Sequence, residues 1–264
     1  MKSNSVFAQT HPVREVIVLD DASDDGSAEL AASLAAAAGR DIRLYPATRN
    51  PGSVFAQWRR RAKLARGEHI WIAEADDDAD PGLLAALAAR LDAATDIDMV
   101  LCDSRSVDAA GQPLQPNYQA YYVDSDAACL AQDGIFNARD FARRFLAERN
   151  LILNASAVLW RRGALLAALK ACGHELPDYR MAGDWRLYLA LMSASDGSVA
   201  WVAQPLNIHR RHAASVTGAL AAADHVDEIR RIHRVARSAL ALDAAATARQ
   251  DAYAVQVAVE INRA

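Results

Sequence analysis

Short apolar runs alternate with stretches of helical spacing along the first hundred residues. β-Branched runs such as EVIVL predict buried strands, and the apolar spacing between the runs predicts helices. The predicted strands are residues 15–19, 42–46, 69–73 and 97–103, and the predicted helices between them are residues 28–39, 53–67 and 81–94. This alternation is typical of βαβ units, so we predict an α/β fold with a mostly parallel sheet flanked by helices.

The pattern is less regular after residue 104 and becomes helical again near the end. The predicted elements in this part are helices over residues 138–149 and 183–194 and short strands over residues 198–202 and 205–209. We expect Asn137 to cap the first of these helices and Asp184 to open the second. Two further helices are predicted from about residue 220, and we assign residues 219–264 to a helical C-terminal extension.

The composition indicates a folded protein and argues against several classes. Of 264 residues, 52% are apolar, which is enough for a sizeable core. The formal net charge is −4 and the sequence has no basic stripe, so nucleic acid is not an expected partner. The three cysteines are far apart and form no CxxC pair, which predicts free thiols and no zinc site. No run of 18 apolar residues occurs, so the sequence predicts no membrane-spanning segment.

Acidic residues crowd the turn that follows the third predicted strand. The segment EADDDADP, residues 74–81, has five carboxylates in seven positions. Hard cations such as Mg²⁺ and Mn²⁺ take oxygen ligands, so Glu74 and Asp76 predict a metal–diphosphate site. Asp80 and Pro81 instead have the composition of a helix start, and Asp77 remains open between the two interpretations.

Three other polar segments each allow a structural and a functional interpretation. The turn DDASDDGS, residues 20–27, suits either a tight strand-to-helix turn or contacts with a base or ribose. Asp184 suits either a helix cap or a general base, and its spacing alone favours the cap. Arg210, Arg211 and His212 could clamp phosphate oxygens or complete a metal site, although in isolation a solvated basic loop is preferred.

Taken in order, several pieces of the sequence resemble family 2 glycosyltransferases of the GT-A fold. These pieces, which run from residue 5 to about residue 217, are EVIVLDDASDDGS, RNPGSVFAQW, ARGEHIWIAEADDDADPGLL, NASAVLWRR, GDWRLYL and PLNIHRRHAASVT. They look like bacterial members that build cell-surface polysaccharides, often as modules of longer chains. The resemblance implies that residues 1–218 form a GT-A domain. It also implies transfer of a sugar from a nucleotide-diphosphate donor, UDP- or dTDP-linked, to a saccharide or lipid-linked glycan.

The resemblance also implies a role for each residue that matches a family motif. Asp184 stands at the position of the catalytic base, which implies an inverting displacement. Asp76 and His212 would bind Mg²⁺ or Mn²⁺. The residues implied to contact the donor are Asp20, Asp21, Asn50, Glu74, Asp77, Arg210 and Arg211. Glu74 departs from the aspartate that is commoner at its position, but it keeps a carboxylate oxygen.

One departure from the family pattern concerns the first residues. Family members begin with a strand that ends in a PTYN-like segment, and the helix after it ends in SVLAQT-like residues. Here SVFAQTHP starts at residue 5, which implies that the first strand and most of the first helix are absent. Exposed strand edges and a reduced nucleotide pocket would follow, so we expect weak or no activity from these 264 residues alone.

The resemblance implies a cytoplasmic protein, for which the cytoplasmic face of the inner membrane is one expected site. Peripheral membrane association and contact with other domains of a longer chain are the expected interactions. A sugar nucleotidyltransferase is one alternative, but its usual glycine-rich phosphate loop does not occur in this sequence. A second alternative is a non-catalytic, degenerate module that binds glycan or a neighbouring domain.

Overall fold

The structure, a computed structural model, describes residues 3–48, 54–122, 127–211 and 222–261. Its helices are α1 (Ser3–Phe7), α2 (Ser27–Ala37), α3 (Val54–Arg61), α4 (Leu83–Ala93), α5 (Gln119–Tyr122), α6 (Ala138–Phe141), α7 (Arg162–Cys172), α8 (Gly183–Ala194), α9 (Ala222–Leu240) and α10 (Ala244–Ile261). Its strands are β1 (Val16–Asp20), β2 (Ile42–Pro46), β3 (His69–Trp71), β4 (Asp78–Ala79), β5 (Ile97–Val107), β6 (Pro113–Gln115), β7 (Gly134–Asn137), β8 (Val158–Arg161) and β9 (Ser198–Arg210). The four strands predicted in the first hundred residues are therefore confirmed.

These strands form two sheets. β1 and β2 pair in parallel, and the larger sheet has the order β3-β8-β5-β9-β4, with β6 added to β5 and β7 added to β9. Among the strands described in this larger sheet, β5 and β9 run parallel and the other pairs are antiparallel. The α/β class with flanking helices is confirmed. The expectation of mostly parallel strands is corrected to a mixed sheet, because β8 inserts antiparallel between β3 and β5.

Strand β5 carries side chains into two separate cores. Val100 and Cys102 pack with the leucines of α4 in the smaller core, whereas Met99 and Leu101 belong to the larger core. Successive side chains of a strand point to opposite faces, so the sheet separates the two cores. Helices α9 and α10 bury part of their surface in the larger core through Val226, Ile229, Ile232, Ala236, Leu240, Ala254 and Val257.

Helix starts test the capping predictions. Asn137 caps α6 as predicted, because its side-chain oxygen accepts hydrogen bonds from the backbone N–H groups of Arg139 and Asp140. Helix α8 covers the predicted residues, but its N-cap is Ala182 and Asp184 is the second helical residue. The prediction that Asp184 caps α8 is therefore wrong. This leaves its carboxylate available for other contacts.

Three other boundaries differ from the sequence pattern. Helix α4 begins at Leu83, and Asp80 shapes the turn before it by accepting a hydrogen bond from the Gly82 N–H at 2.9 Å. The helix predicted after Asn137 changes at residue 142 into a π-helical turn. The two short strands predicted over residues 198–202 and 205–209 form one continuous strand, β9. Pro205 of β9 lies opposite a register shift in β5. Proline is tolerated within a strand at such an irregularity because no regular ladder bond is lost.

Within the part of the chain that is described, no helix is both long and apolar enough to cross a bilayer.

Candidate functional site

The acidic turn after β3 is fixed to the 3₁₀ turn that precedes β8. The Ser156 hydroxyl accepts a hydrogen bond from the Glu74 N–H at 2.9 Å and donates one to Asp77 Oδ2 at 2.9 Å. The Trp71 indole N–H donates to the Ser156 carbonyl at 2.7 Å. One serine thus joins the end of β3, the acidic turn and the start of β8.

Asp77 is the most enclosed carboxylate of this turn, with 6% of its surface exposed. Its Oδ2 accepts from the Asn154 amide as well as from Ser156, and its Oδ1 accepts from the Arg210 backbone N–H at 3.1 Å. These contacts connect three segments that are far apart in sequence. Asp77 is therefore a structural junction of the turn, and a donor contact by this residue stays a prediction.

The arginines at the end of β9 differ in their surroundings. Arg210 Nη2 lies 3.3 Å from Asp78 Oδ2, and Nη1 donates to the Asp108 carbonyl at 3.2 Å. Its guanidinium group is thus held against the acidic turn. Arg211 is exposed, and its backbone N–H donates to the Val107 carbonyl at 2.8 Å.

Glu74 and Asp184 form the electrostatic centre of the site. Burial raises the pKa of Glu74 to about 8, and the negative charges of Asp77 and Asp184 add to this effect. Burial likewise raises the pKa of Asp184 to about 7, although hydrogen bonds from the Trp185 N–H at 2.6 Å and the Asn150 amide at 3.3 Å oppose the rise. Two carboxyl groups with raised pKa values in one place are typical of a functional site.

Tyr188 lies beside these carboxyl groups, one helical turn after Asp184. Burial raises the pKa of Tyr188 well above its ordinary value, and the charges of Asp184 and Glu74 raise it further. The ring stacks on Trp160 with a centroid distance of 5.4 Å. Its buried hydroxyl has no hydrogen-bond partner among the described residues. A buried hydroxyl without a partner is uncommon in a folded protein, and this one lies on the same helix face as Asp184.

Helix α3 connects the first acidic turn to α8. Gln57, which is buried, donates a hydrogen bond to Asp21 through its amide. On the same helix, Phe55 packs so closely on Gly183 that a Cβ atom at residue 183 would lie 2.6 Å from the ring carbon Cγ.

Asp20, at the end of β1, is 8% exposed and accepts a hydrogen bond from the Ser23 N–H at 3.3 Å. The first acidic turn therefore has the hydrogen bonds of a structured turn.

The structure brings together some of the predicted site residues and does not describe others. Glu74, Asp77, Asp184 and Arg210 are linked by the contacts and charge interactions above, and Asp76 lies half-buried in the same turn. Asn50 and His212 lie outside the described residues, as does the predicted domain boundary after residue 218.

Sequence reasoning assigned no role to Asn150, Asn154, Ser156 or Tyr188. Two signals could have found them. Asn154 and Ser156 are polar residues inside an otherwise apolar stretch, LILNASAVLW. Tyr188 follows Asp184 by four residues and hence shares its helix face.

The predicted metal site pairs Asp76 with His212, which lies outside the described residues. Within the described ranges, no group of three or more His, Cys, Asp or Glu residues could hold a metal ion. Mg²⁺, however, usually binds through one or two carboxylates together with waters and substrate phosphates. Metal binding at Asp76 therefore stays a prediction.

Comparison with known proteins identifies the family. Residues 3–155 match the model of glycosyl transferase family 2. The chain belongs to this family. Over 182 residues it is 29% identical to the succinoglycan biosynthesis protein ExoO of Rhizobium meliloti (strain 1021). That match covers 64% of this chain and 51% of ExoO, so the chain spans about half the length of that relative.

The fold is also similar to that of solved structures of S. aureus TarS. Crystal structures of S. aureus TarS 1-349 in complex with UDP and with UDP-GlcNAc match with TM-scores of 0.62 and 0.65, both at 17% identity. The matches cover 97% of this chain and 65% and 66% of those chains, slightly less than two thirds. At this identity the likeness shows the GT-A-like fold alone.

Proposed function

We propose that this protein transfers a sugar from a nucleotide-diphosphate donor to a saccharide hydroxyl, with inversion, during synthesis of a cell-surface polysaccharide at the cytoplasmic face of a membrane. The observation that carries the proposal is the position of Asp184 in the first turn of α8, where the Asn150 amide and the Trp185 N–H hold its carboxylate and burial raises its pKa to about 7. The family supports glycosyl transfer, and the relative named for succinoglycan biosynthesis supports a polysaccharide product. The complexes of TarS with UDP and UDP-GlcNAc support a UDP-linked donor.

Asp184 acts as the general base. Hydrogen bonds from Asn150 and from the Trp185 N–H orient its carboxylate, and the second position of α8 keeps it in the first helical turn. A pKa of about 7 lets it accept a proton from an acceptor hydroxyl at neutral pH. A single attack by that hydroxyl on the side opposite the leaving diphosphate inverts the anomeric carbon.

The donor lies against the acidic turns in this proposal. Asp20 and Asp21 contact the nucleotide, with Asn50 and Glu74 also on the donor side. Arg211, which is exposed, is the better candidate for the diphosphate, because Arg210 is held by Asp78 and the Asp108 carbonyl.

The residues present fit a divalent cation. Burial and the nearby charges of Asp77 and Asp184 disfavour the ionised form of Glu74, and a bound cation would offset this cost and favour the carboxylates. Asp76 supplies the type of oxygen that Mg²⁺ and Mn²⁺ prefer, and His212 is the proposed second ligand. When bound, the metal supplies positive charge that stabilises the leaving diphosphate.

Calorimetry with UDP, in the presence and absence of Mn²⁺, tests the donor site. We expect Mn²⁺ to tighten UDP binding to the wild-type protein and to have no such effect on Asp76→Ala. Asp196→Ala, which removes an exposed carboxylate elsewhere, is the matched control and should behave like the wild type. Equal Mn²⁺ effects in Asp76→Ala and in the wild type would exclude Asp76 as the ligand.

A further inference from the structure

A basic groove lies between the two C-terminal helices. Its volume is about 330 Å³, and its lining residues are Arg230, His233, Arg234, Arg237, Asp251, Ala254 and Val255. The three arginines are separated by four and three positions on α9, so they lie on one face of that helix. They form a positive patch on a chain whose formal net charge is −4.

The arginines of this groove are not all used by the protein itself. Arg237 is held in place, since it donates to Gln250 Oε1 at 2.7 Å and to Asp251 Oδ1 at 2.6 Å. Arg230 makes one solvent-exposed contact, 3.7 Å from Asp227. Arg234 is exposed and forms no ion pair or hydrogen bond with any residue in the described part of the chain. Two of the three guanidinium groups are therefore available to a ligand.

The positive charge of the groove comes from arginine and does not depend on pH near neutrality. His233 is 2% exposed, and its Nε2 lies 2.7 Å from the Glu148 carbonyl. Burial lowers the pKa of His233, so this ring is neutral at pH 7. Arginine stays charged in proteins throughout the physiological range.

Helix stabilisation explains only part of this arrangement. Cations in the last turn of a helix complement its dipole, and Arg237 also joins α9 to α10 through Asp251. Arg230 and Arg234 lie further from the end of α9, where the dipole contributes little. The helix dipole therefore does not explain why Arg230 and Arg234 line the groove.

We propose that this groove binds a phosphate-bearing ligand, with Arg230 and Arg234 as its contacts. The planar guanidinium group forms paired hydrogen bonds with phosphate oxygens, and two such groups side by side suit the charge of a phosphate group. Residues 230 and 234 are roughly 6 Å apart along the helix axis, so both guanidinium groups can reach one phosphate or diphosphate group. The opposite wall contains Asp251, which pairs with Arg237, and Val255, which is 59% exposed and offers an apolar contact to a ligand.

The groove adjoins the helix that carries the candidate base. The ring of His233 meets the Trp185 ring edge to face, with a centroid distance of 5.9 Å, and Trp185 directly follows Asp184. A ligand in the groove would thus lie against the layer that supports the catalytic site. The proposal stands independently of the sugar-transfer reaction, because it rests on the arginines of α9 alone.

Two binding experiments distinguish a free phosphate from a lipid headgroup. The first is calorimetry with inorganic pyrophosphate, using the Asp76→Ala background to remove metal-assisted binding at the donor site. The second is flotation with vesicles of phosphatidylcholine, with and without phosphatidylglycerol. The groove variant is Arg230→Gln with Arg234→Gln. The control is Lys170→Gln with Arg249→Gln, which removes the same charge from exposed positions outside the groove.

We expect the groove variant to weaken binding about tenfold or more and the control to change it less than about twofold. Loss of pyrophosphate binding in the groove variant would identify a soluble phosphate ligand. Loss of phosphatidylglycerol-dependent flotation alone would identify a lipid headgroup. Either result supports the site, provided that both variants melt like their parents. If the groove variant and the control behave alike in both experiments, the proposal is wrong.

Discussion

Replacing Asp77 with alanine tests whether this carboxylate is the structural junction of the acidic turn. The substitution removes the acceptor for three buried or half-buried donors: the Asn154 amide, the Ser156 hydroxyl and the Arg210 backbone N–H. Each unsatisfied buried donor costs about 1–3 kcal/mol. The Ser156 hydroxyl can rotate to another acceptor, so we expect a total loss of about 3–5 kcal/mol in the free energy of unfolding.

Urea denaturation followed by tryptophan fluorescence measures this loss. For a domain of this size, the melting temperature should also fall by about 10 °C, at roughly 2–4 °C per kcal/mol. Asp77→Asn keeps one acceptor oxygen and should lie between the alanine variant and the wild type.

Asp78→Ala is the matched control, because it removes the neighbouring carboxylate. Asp78 is half-exposed and pairs with Arg210 at 3.3 Å, so its loss should cost about 1 kcal/mol or less. If Asp77→Ala were as stable as Asp78→Ala, the hydrogen bonds described for Asp77 would not hold the turn together.

Three further predictions concern the carboxyl pair and the helix that carries it. The pKa of Asp184 is raised to about 7, so the rate of UDP release from UDP-GlcNAc should fall as pH drops below about 7; a flat profile down to pH of about 5.5 would contradict this. The folded-state pKa of Glu74, about 8, exceeds its ordinary 4.5, so the stability from this group is present at low pH and lost as pH rises through about 8. In urea unfolding, the free energy of unfolding of Glu74→Gln relative to the wild type should therefore be more than about 1 kcal/mol higher at about pH 9 than at about pH 5. A difference that does not change with pH would exclude the raised pKa. Gly183→Ala should cost about 1–3 kcal/mol by thermal melting because of the Phe55 ring, and Phe55→Ala should cancel part of that cost; purely additive losses would refute the contact.

Local chemistry in the sequence predicts several elements of this fold well. The helix of residues 183–194 and the cap at Asn137 depend on residues next to each other in the chain, and both were predictable. The strand β9 was predicted as two pieces because Pro205 normally ends a strand. Only the pairing with β5, which has a register shift there, reveals why the strand continues.

The candidate site was less predictable because its contacts are long-range. Spacing cannot tell an N-cap from the second helical residue, so Asp184 was assigned the wrong structural position. The partners of Asp77 lie between 77 and 133 residues away in sequence, which no local pattern reports. Acidic crowding did indicate where the site is. It could not indicate which carboxylate holds the turn and which one carries the raised pKa.

The most direct test of the proposed reaction is to compare UDP release from UDP-GlcNAc by the wild-type protein and by Asp184→Asn, with UDP affinity measured on the same samples. We predict that kcat falls roughly 100- to 10,000-fold in Asp184→Asn while the Kd for UDP changes less than about twofold, because the base acts on the attacking hydroxyl and not on the nucleotide. An Asp184→Asn protein that releases UDP at the wild-type rate would show that Asp184 is not the base.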